Sequence, residues 1–144
     1  LSSCSLNSFP TGLYLATSSV SDKITSISLS NNELKSMPGK FFTVYKNLQE
    51  LDLEGNLLEK LPVEVSSLPN LQNINLSKNK FERFPEELTR IQSMESINLE
   101  SNQIKDIPVD ELNKMTKLSS VNVKLNSVNK ENLNHCDAKF ELIL

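Results

Sequence analysis

The sequence predicts an α/β solenoid, a curved stack of coils with a parallel sheet on the concave side and short helices, 3₁₀ turns and loops on the convex side. Three observations carry that expectation. Pro10, Pro38, Pro62, Pro85 and Pro108 recur at intervals of 28, 24, 23 and 23 residues, each behind an apolar residue. Asn32, Asn56, Asn79 and Asn102 stand six residues before the last four of these prolines, and Asn126 extends the series. Finally, 23 Leu, 20 Ser and 17 Asn dominate the 144 residues, while only 38% of the chain is apolar. That fraction is lean beside the roughly 45–50% of ordinary domains, and it suits a core one layer thick.

Around these anchors runs one pattern, apolar-x-x-apolar-x-apolar-x-x-Asn-x-apolar-x-x-apolar-Pro. A partial first copy supplies Leu1, Cys4, Leu6 and Phe9. The first full copy reads Ile24, Ile27, Leu29, Asn32, Leu34, Met37, and the second Leu48, Leu51, Leu53, Asn56, Leu58, Leu61. The third is Leu71, Ile74, Leu76, Asn79, Phe81, Phe84, and the fourth Met94, Ile97, Leu99, Asn102, Ile104, Ile107. A fifth opens with Leu118, Val121, Val123, Asn126 and Val128. The centre of each copy alternates as a half-buried strand does, so these segments should pair in parallel. A second apolar pair recurs behind them: Phe42 and Tyr45, Val65 and Leu68, Leu88 and Ile91, Leu112 and Met115. Its i, i+3 spacing suits one helical or 3₁₀ turn on the outer side. The proline step stops the inner strand, and Pro69 should keep the outer helix near it short.

Residues 1–144 read as a single domain, with a partial first repeat and insertion over 1–23, full repeats over 24–128 and a C-terminal cap over 129–144. The insertion TGLYLATSSVSDK is expected to be a surface loop. In the last copy the proline step is lost, and solenoid ends need atypical, more polar units. Phe140, Leu142, Ile143 and Leu144 should therefore pack on the last coil. Leu1–Ser3 is left as a bare strand edge, expected to be covered by preceding residues or to self-associate with a second copy.

The five asparagines form a predicted structural ladder. An amide offers two donors and one acceptor, so Asn32, Asn56, Asn79, Asn102 and Asn126 can satisfy backbone groups that a tight turn leaves unpaired. Cys4 is expected to fill the equivalent place as a small buried thiol. With Cys136 about five coil steps away, a disulfide between them is not expected. Two cysteines without a dense framework, and no basic or apolar leader in LSSCSLNSFP, suggest a reducing, cytoplasmic setting.

No catalytic group, metal site or cofactor site is expected. His135 is the sole histidine, and its neighbours Cys136 and Asp137 would point away from it in an extended segment, so a cap role is the simpler reading. Ligand spacing for zinc and a Gly-rich phosphate loop are both missing from the sequence. Asn75-Leu76-Ser77 is formally a glycosylation sequon, but its middle residue is a core anchor. The formal charge of −3, from 15 basic and 18 acidic residues, argues against nucleic-acid binding. No apolar run approaches the roughly 20 residues of a membrane span.

What functional information remains lies on the concave face, where Ser28, Glu50, Asp52, Glu54, Asn73, Asn75, Ser96, Asn98, Glu100 and Asn122 are the candidate protein-binding residues. Solvation alone would account for so polar a surface, yet solenoids also bind partners on their concave side. With almost none of the aromatic and Arg residues that interfaces favour, this face would bind weakly, and its acidic centre would favour a basic partner.

About thirty positions thus agree in register with L-x-x-L-x-L-x-x-N/C-x-L, the signature of the leucine-rich repeat superfamily, and the resemblance covers nearly the whole chain. The units LPVEVSSLPNLQNINLSKN and FPEELTRIQSMESINLESN resemble its intracellular, scaffold type, which implies a right-handed coil. They lack the cysteine-rich flanks of its secreted members. The resemblance implies a non-catalytic interaction module with an unknown protein partner; its alternative is a regulatory subunit of a phosphatase or small GTPase system.

Overall fold

The computed structural model describes residues 1–133 and 137–144. Its spine is one six-stranded parallel sheet in chain order: β1 (Ser26–Ser28), β2 (Glu50–Asp52), β3 (Asn73–Asn75), β4 (Ser96–Asn98), β5 (Ser120–Asn122) and β6 (Glu141–Ile143). Ile27, Leu51, Ile74, Ile97, Val121 and Leu142 pair into a single row. The near-constant repeat length enforces this register, because a slip of one residue would turn every anchor toward solvent.

Each strand feeds a layer of apolar side chains. Leu29, Leu53, Leu76 and Leu99 follow on the inner side, and Phe42, Val65, Leu88 and Leu112 close the layer from the outer side, all of them fully buried. The outer segments are α2 (Gly39–Val44), 3₁₀ turns over Val63–Ser67 and Glu86–Arg90, and α3 (Val109–Asn113). Each starts directly after Pro38, Pro62, Pro85 or Pro108. The prolyl carbonyls accept the N–H groups of Phe41, Val65, Leu88 and Leu112 at 3.0–3.1 Å. A helix start is where the missing prolyl N–H costs least. The Val63–Ser67 turn ends ahead of Leu68, extended at φ −71, ψ 115, a conformation compatible with the following Pro69. Glu86–Arg90 is equally short and ends the same way at Ile91, φ −92, ψ 100, with no proline behind it, so Pro69 is not what sets the length.

Three local expectations need correction. The TGLYLATSSVSDK insertion is not a plain loop: it forms α1 (Gly12–Ala16) and a 3₁₀ turn over Ser21–Lys23. Tyr14 gives α1 an apolar face, its ring 5.1 Å from Phe9 and 6.1 Å from Tyr45, while Phe9 and Tyr45 pack on Phe41 at 5.0 and 5.1 Å. Thr17 Oγ1 donates to Leu13 O at 2.6 Å and lies 2.9 Å from the Tyr45 hydroxyl.

Cys4 is exposed rather than buried. It does take the ladder place, since the N–H of Leu6, two residues on, donates to Asn32 Oδ1 at 3.0 Å as the Leu34 N–H does to Asn56 Oδ1, and its thiol donates to Ser2 O at 3.4 Å. Cys136 and His135, and with them the readings of a disulfide and a cap histidine, lie outside the described residues. At the Leu1–Ser3 edge, the Ser3 N–H donates to Ser30 O at 2.9 Å.

The C-terminal segment goes beyond a packed cap. Asn129 Oδ1 accepts the Glu131 N–H at 3.0 Å and starts α4 (Lys130–Leu133). The chain then returns as β6. Asn113 grips this return, donating to Asp137 O at 2.9 Å and accepting the Lys139 N–H at 2.8 Å. Phe140 is buried and Leu142 packs on the core. Ile143 does not join it: strand alternation turns it to the concave face beside Asn122. Leu144 is 37% exposed.

Candidate functional site: the concave face

Pairing places Ser28, Asp52, Asn75, Asn98 and Asn122 in one column of the sheet, with Ile143 at its end. Ser26, Glu50, Asn73, Ser96, Ser120 and Glu141 form a parallel column. Between them lies a shallow groove of about 520 Å³ over β1 to β4. All ten candidate residues face this surface or its rim, and the structure assigns several of them local work.

The N–H groups of Glu54, Ser77, Glu100 and Lys124 donate to the side-chain Oδ1 of Asp52, Asn75, Asn98 and Asn122 at 3.0–3.1 Å. A short side-chain carbonyl that binds the backbone two residues on is what Asp and Asn do at turns. That bond ends each strand and leads the chain to a left-handed residue: Gly55 at φ 69, Lys78 at 55, Ser101 at 58 and Leu125 at 56. The side-chain Oδ1 of each of these four residues is therefore committed to the turn.

The remaining donors tie neighbouring coils together. Asn75 Nδ2 donates to Glu54 Oε2 at 3.4 Å and Asn122 Nδ2 to Glu100 Oε2 at 3.1 Å. Lys78 Nζ lies 3.2 Å from Glu54 Oε1. Ser96 Oγ donates to Asn73 Oδ1 at 2.6 Å, and Ser28 Oγ to Asp52 Oδ2 at 3.2 Å. Glu54 is thus partly compensated, whereas Glu50 is exposed and has no ion-pair partner among the described residues. The face keeps carboxylates at Glu50, Asp52, Glu54, Glu100 and Glu141 against ammonium groups at Lys78 and Lys124.

Behind the face runs the asparagine row. Asn56, Asn79, Asn102 and Asn126 each donate to the carbonyl three residues back and to one in the preceding coil, Leu29, Leu53, Leu76 and Leu99 respectively, at 2.8–3.1 Å. Their Oδ1 atoms accept the N–H of Leu34, Leu58, Phe81 and Ile104 at 2.9–3.1 Å. Asn32 bonds likewise to Leu1 O, Leu29 O and the Leu6 N–H. Asn32, Asn56, Asn79 and Asn102 are buried, and Asn126 is half-buried.

Ile143 is the concave-face residue that the sequence pattern did not reveal. The coil that leads to it lacks the proline step, with Asn132 six residues after Asn126, and Leu142 follows Val121 after 21 residues instead of 23 or 24. The surviving signal is the alternation Phe140-x-Leu142-x-Leu144.

Among the described residues, no group of three or more His, Cys, Asp or Glu side chains could hold a metal ion, and no helix is long and apolar enough to cross a membrane. The coil of strand, asparagine bend and outer turn, repeated in register, defines a leucine-rich repeat protein. Residues 22–81 match the profile described as Leucine rich repeat, and the chain belongs to that family. It is 63% identical over 126 residues to mouse leucine-rich repeat-containing protein 20, a match covering 88% of this chain and 68% of that protein. With the human protein of the same name it is 53% identical over 68 residues, covering 47% of this chain and 37% of that one. Among solved structures, a leucine-rich repeat protein of Leptospira interrogans superposes with a TM-score of 0.81 at 27% identity, covering 96% of this chain and 34% of the other. The leucine-rich repeat ectodomain of an Arabidopsis thaliana membrane receptor kinase, solved in complex with Casparian strip integrity factor 2, gives 0.61 at 30% identity, covering 74% and 13%. Leucine-rich repeat proteins are generally non-catalytic modules of protein–protein interaction.

Proposed function

We propose that this chain is a non-catalytic protein-interaction module, a scaffold unit whose concave face receives a basic protein segment. The observation behind this reading is the groove over β1 to β4, whose rim carries Glu50 exposed and unopposed beside Asp52 and Glu54. Electrostatic complementarity of this kind sets partner choice and encounter rate. The family's general role supports the reading, as does the Arabidopsis ectodomain caught in a complex. The LPVEV and FPEEL steps favour an intracellular setting for it.

The test is affinity capture with the intact chain and with a Glu50→Lys/Asp52→Asn/Glu54→Lys variant. Asn is used at position 52 because it keeps the bond to the Glu54 N–H. Capture of a stoichiometric partner that is lost with the variant supports the concave face. Undiminished capture moves the site to the convex side.

A further inference from the structure

We infer that the β5–β6 part of the concave face is an apolar anchor site, formed by Ile143 and Leu125, for an extended basic segment that carries one bulky apolar side chain. The inference rests on the concave-face reading and adds the chemistry of the occupant. Every other residue in the face's columns is polar, charged or Gly: Ser28, Asp52, Asn75, Asn98 and Asn122 precede Ile143, and Asn31, Gly55, Lys78 and Ser101 precede Leu125. Ile143 on β6 is paired with Asn122 on β5, and Leu125 stands in the turn that follows β5 with 70% of its surface exposed. Leu125 also holds φ 56, a left-handed conformation unfavourable for a bulky side chain. Nothing in the fold's own packing requires Leu there, since Lys78 and Ser101 serve at the same place in other coils.

Charge names the occupant. From the apolar end the face runs past Glu100 to Glu54, Asp52 and Glu50, and its two cations, Lys78 and Lys124, leave it acidic. The distance from β6 to β2 is four strand steps, about 19 Å at ~4.8 Å each. About six extended residues span it. A bound segment would then seat its apolar side chain against Ile143 and Leu125 and bring Lys or Arg over Glu54 and Glu50 some four to seven positions away.

A display library of random dodecapeptides, selected on the full chain, tests this. Dissociation constants of the consensus peptide are then measured for the wild type, Leu125→Asn, Ile143→Ser and Glu50→Lys/Glu54→Lys. The expected consensus pairs one bulky apolar residue with at least two basic residues at that spacing. Leu125→Asn should weaken binding about tenfold or more, as loss of a central apolar anchor does, while the melting temperature holds or rises because Asn tolerates the left-handed region. A consensus without that pairing, failure to enrich any peptide, or full affinity in Leu125→Asn overturns the anchor. If the charge reversal alone abolishes binding, the concave reading stands without the anchor; if it too changes nothing, both fall.

Discussion

Asn79 completes a turn that is not its own: its Oδ1 accepts the N–H of Leu58, in the coil before, at 3.0 Å. Its Nδ2 meanwhile bridges Leu53 O at 2.9 Å and Leu76 O at 3.1 Å, so one side chain satisfies backbone groups from two coils.

Asn79→Ala should therefore orphan the buried Leu58 N–H, while Leu53 O and Leu76 O keep the donors supplied by Asn56 and Asn102, and destabilise the chain by about 1–3 kcal/mol. Asn126→Ala, at a half-buried place, should cost less, because water can replace part of what is lost. Urea denaturation of the two variants side by side checks the order.

Gly55 sits at φ 69, and a Cβ there would meet Asn31 Oδ1 at 2.5 Å. Gly55→Ala should cost about 1–2 kcal/mol from the left-handed backbone, and more with the contact in place. In an Asn31→Ala background the excess should shrink, since the obstacle is a side-chain tip. A double-mutant cycle in denaturant reads the coupling.

The Tyr14 hydroxyl is sealed from solvent and finds no hydrogen-bond partner among the described residues. Tyr14→Phe should be neutral or slightly stabilising, because it removes a desolvated group without leaving another unpaired. Tyr45→Phe breaks the contact with Thr17 and should cost about 0.5–1.5 kcal/mol.

Burial, aided by the neighbouring Tyr45 hydroxyl, raises the Tyr14 pKa above its usual 10.0. Lys40 stands over the same ring, its Nζ 4.9 Å from the centroid. Below pH 10 the hydroxyl is protonated whether the chain is folded or not. As the pH rises past 10 the unfolded chain loses this proton first, so stability should fall toward the folded pKa. Chemical denaturation between pH 9 and 11 should show a shallower fall for Tyr14→Phe.

β6 is held by the Val123 N–H donating to Ile143 O and the Glu141 N–H donating to Ser119 O, both at 2.8 Å. Leu142→Ser should loosen this strand before the rest of the stack. Hydrogen exchange should show the Val123 amide losing protection while Leu53 and Leu76 keep theirs. Equal loss at all three would mean that the stack opens as one unit.

The fold was legible wherever the repeat was complete. Apolar positions at fixed spacing determine which way each side chain faces, so Ile74 and Leu88 could be placed inside from period alone. Two kinds of residue escaped. Tyr14 sits in an insertion with no counterpart in other coils, and its helix depends on ring packing with Phe9 and Tyr45 that periodicity cannot encode. β6 escaped because the coil leading to it lacks the Pro that marks the others and is two to three residues shorter, and Ile143 was hidden with it. On the concave face the positions of Asp52 and Asn98 were readable, but not their bonds to the Glu54 and Glu100 backbone, which depend on the left-handed turn.

The direction of the asparagine bonds has a consequence for synthesis. Because Leu34, Leu58, Phe81 and Ile104 wait for acceptors supplied by Asn56, Asn79, Asn102 and Asn126, none of these four coils is finished when its own residues leave the ribosome. Each of the four is completed by the one translated after it, so ordering along this stretch must trail elongation by about one repeat, and a chain stalled within it ends in a coil with an open bend.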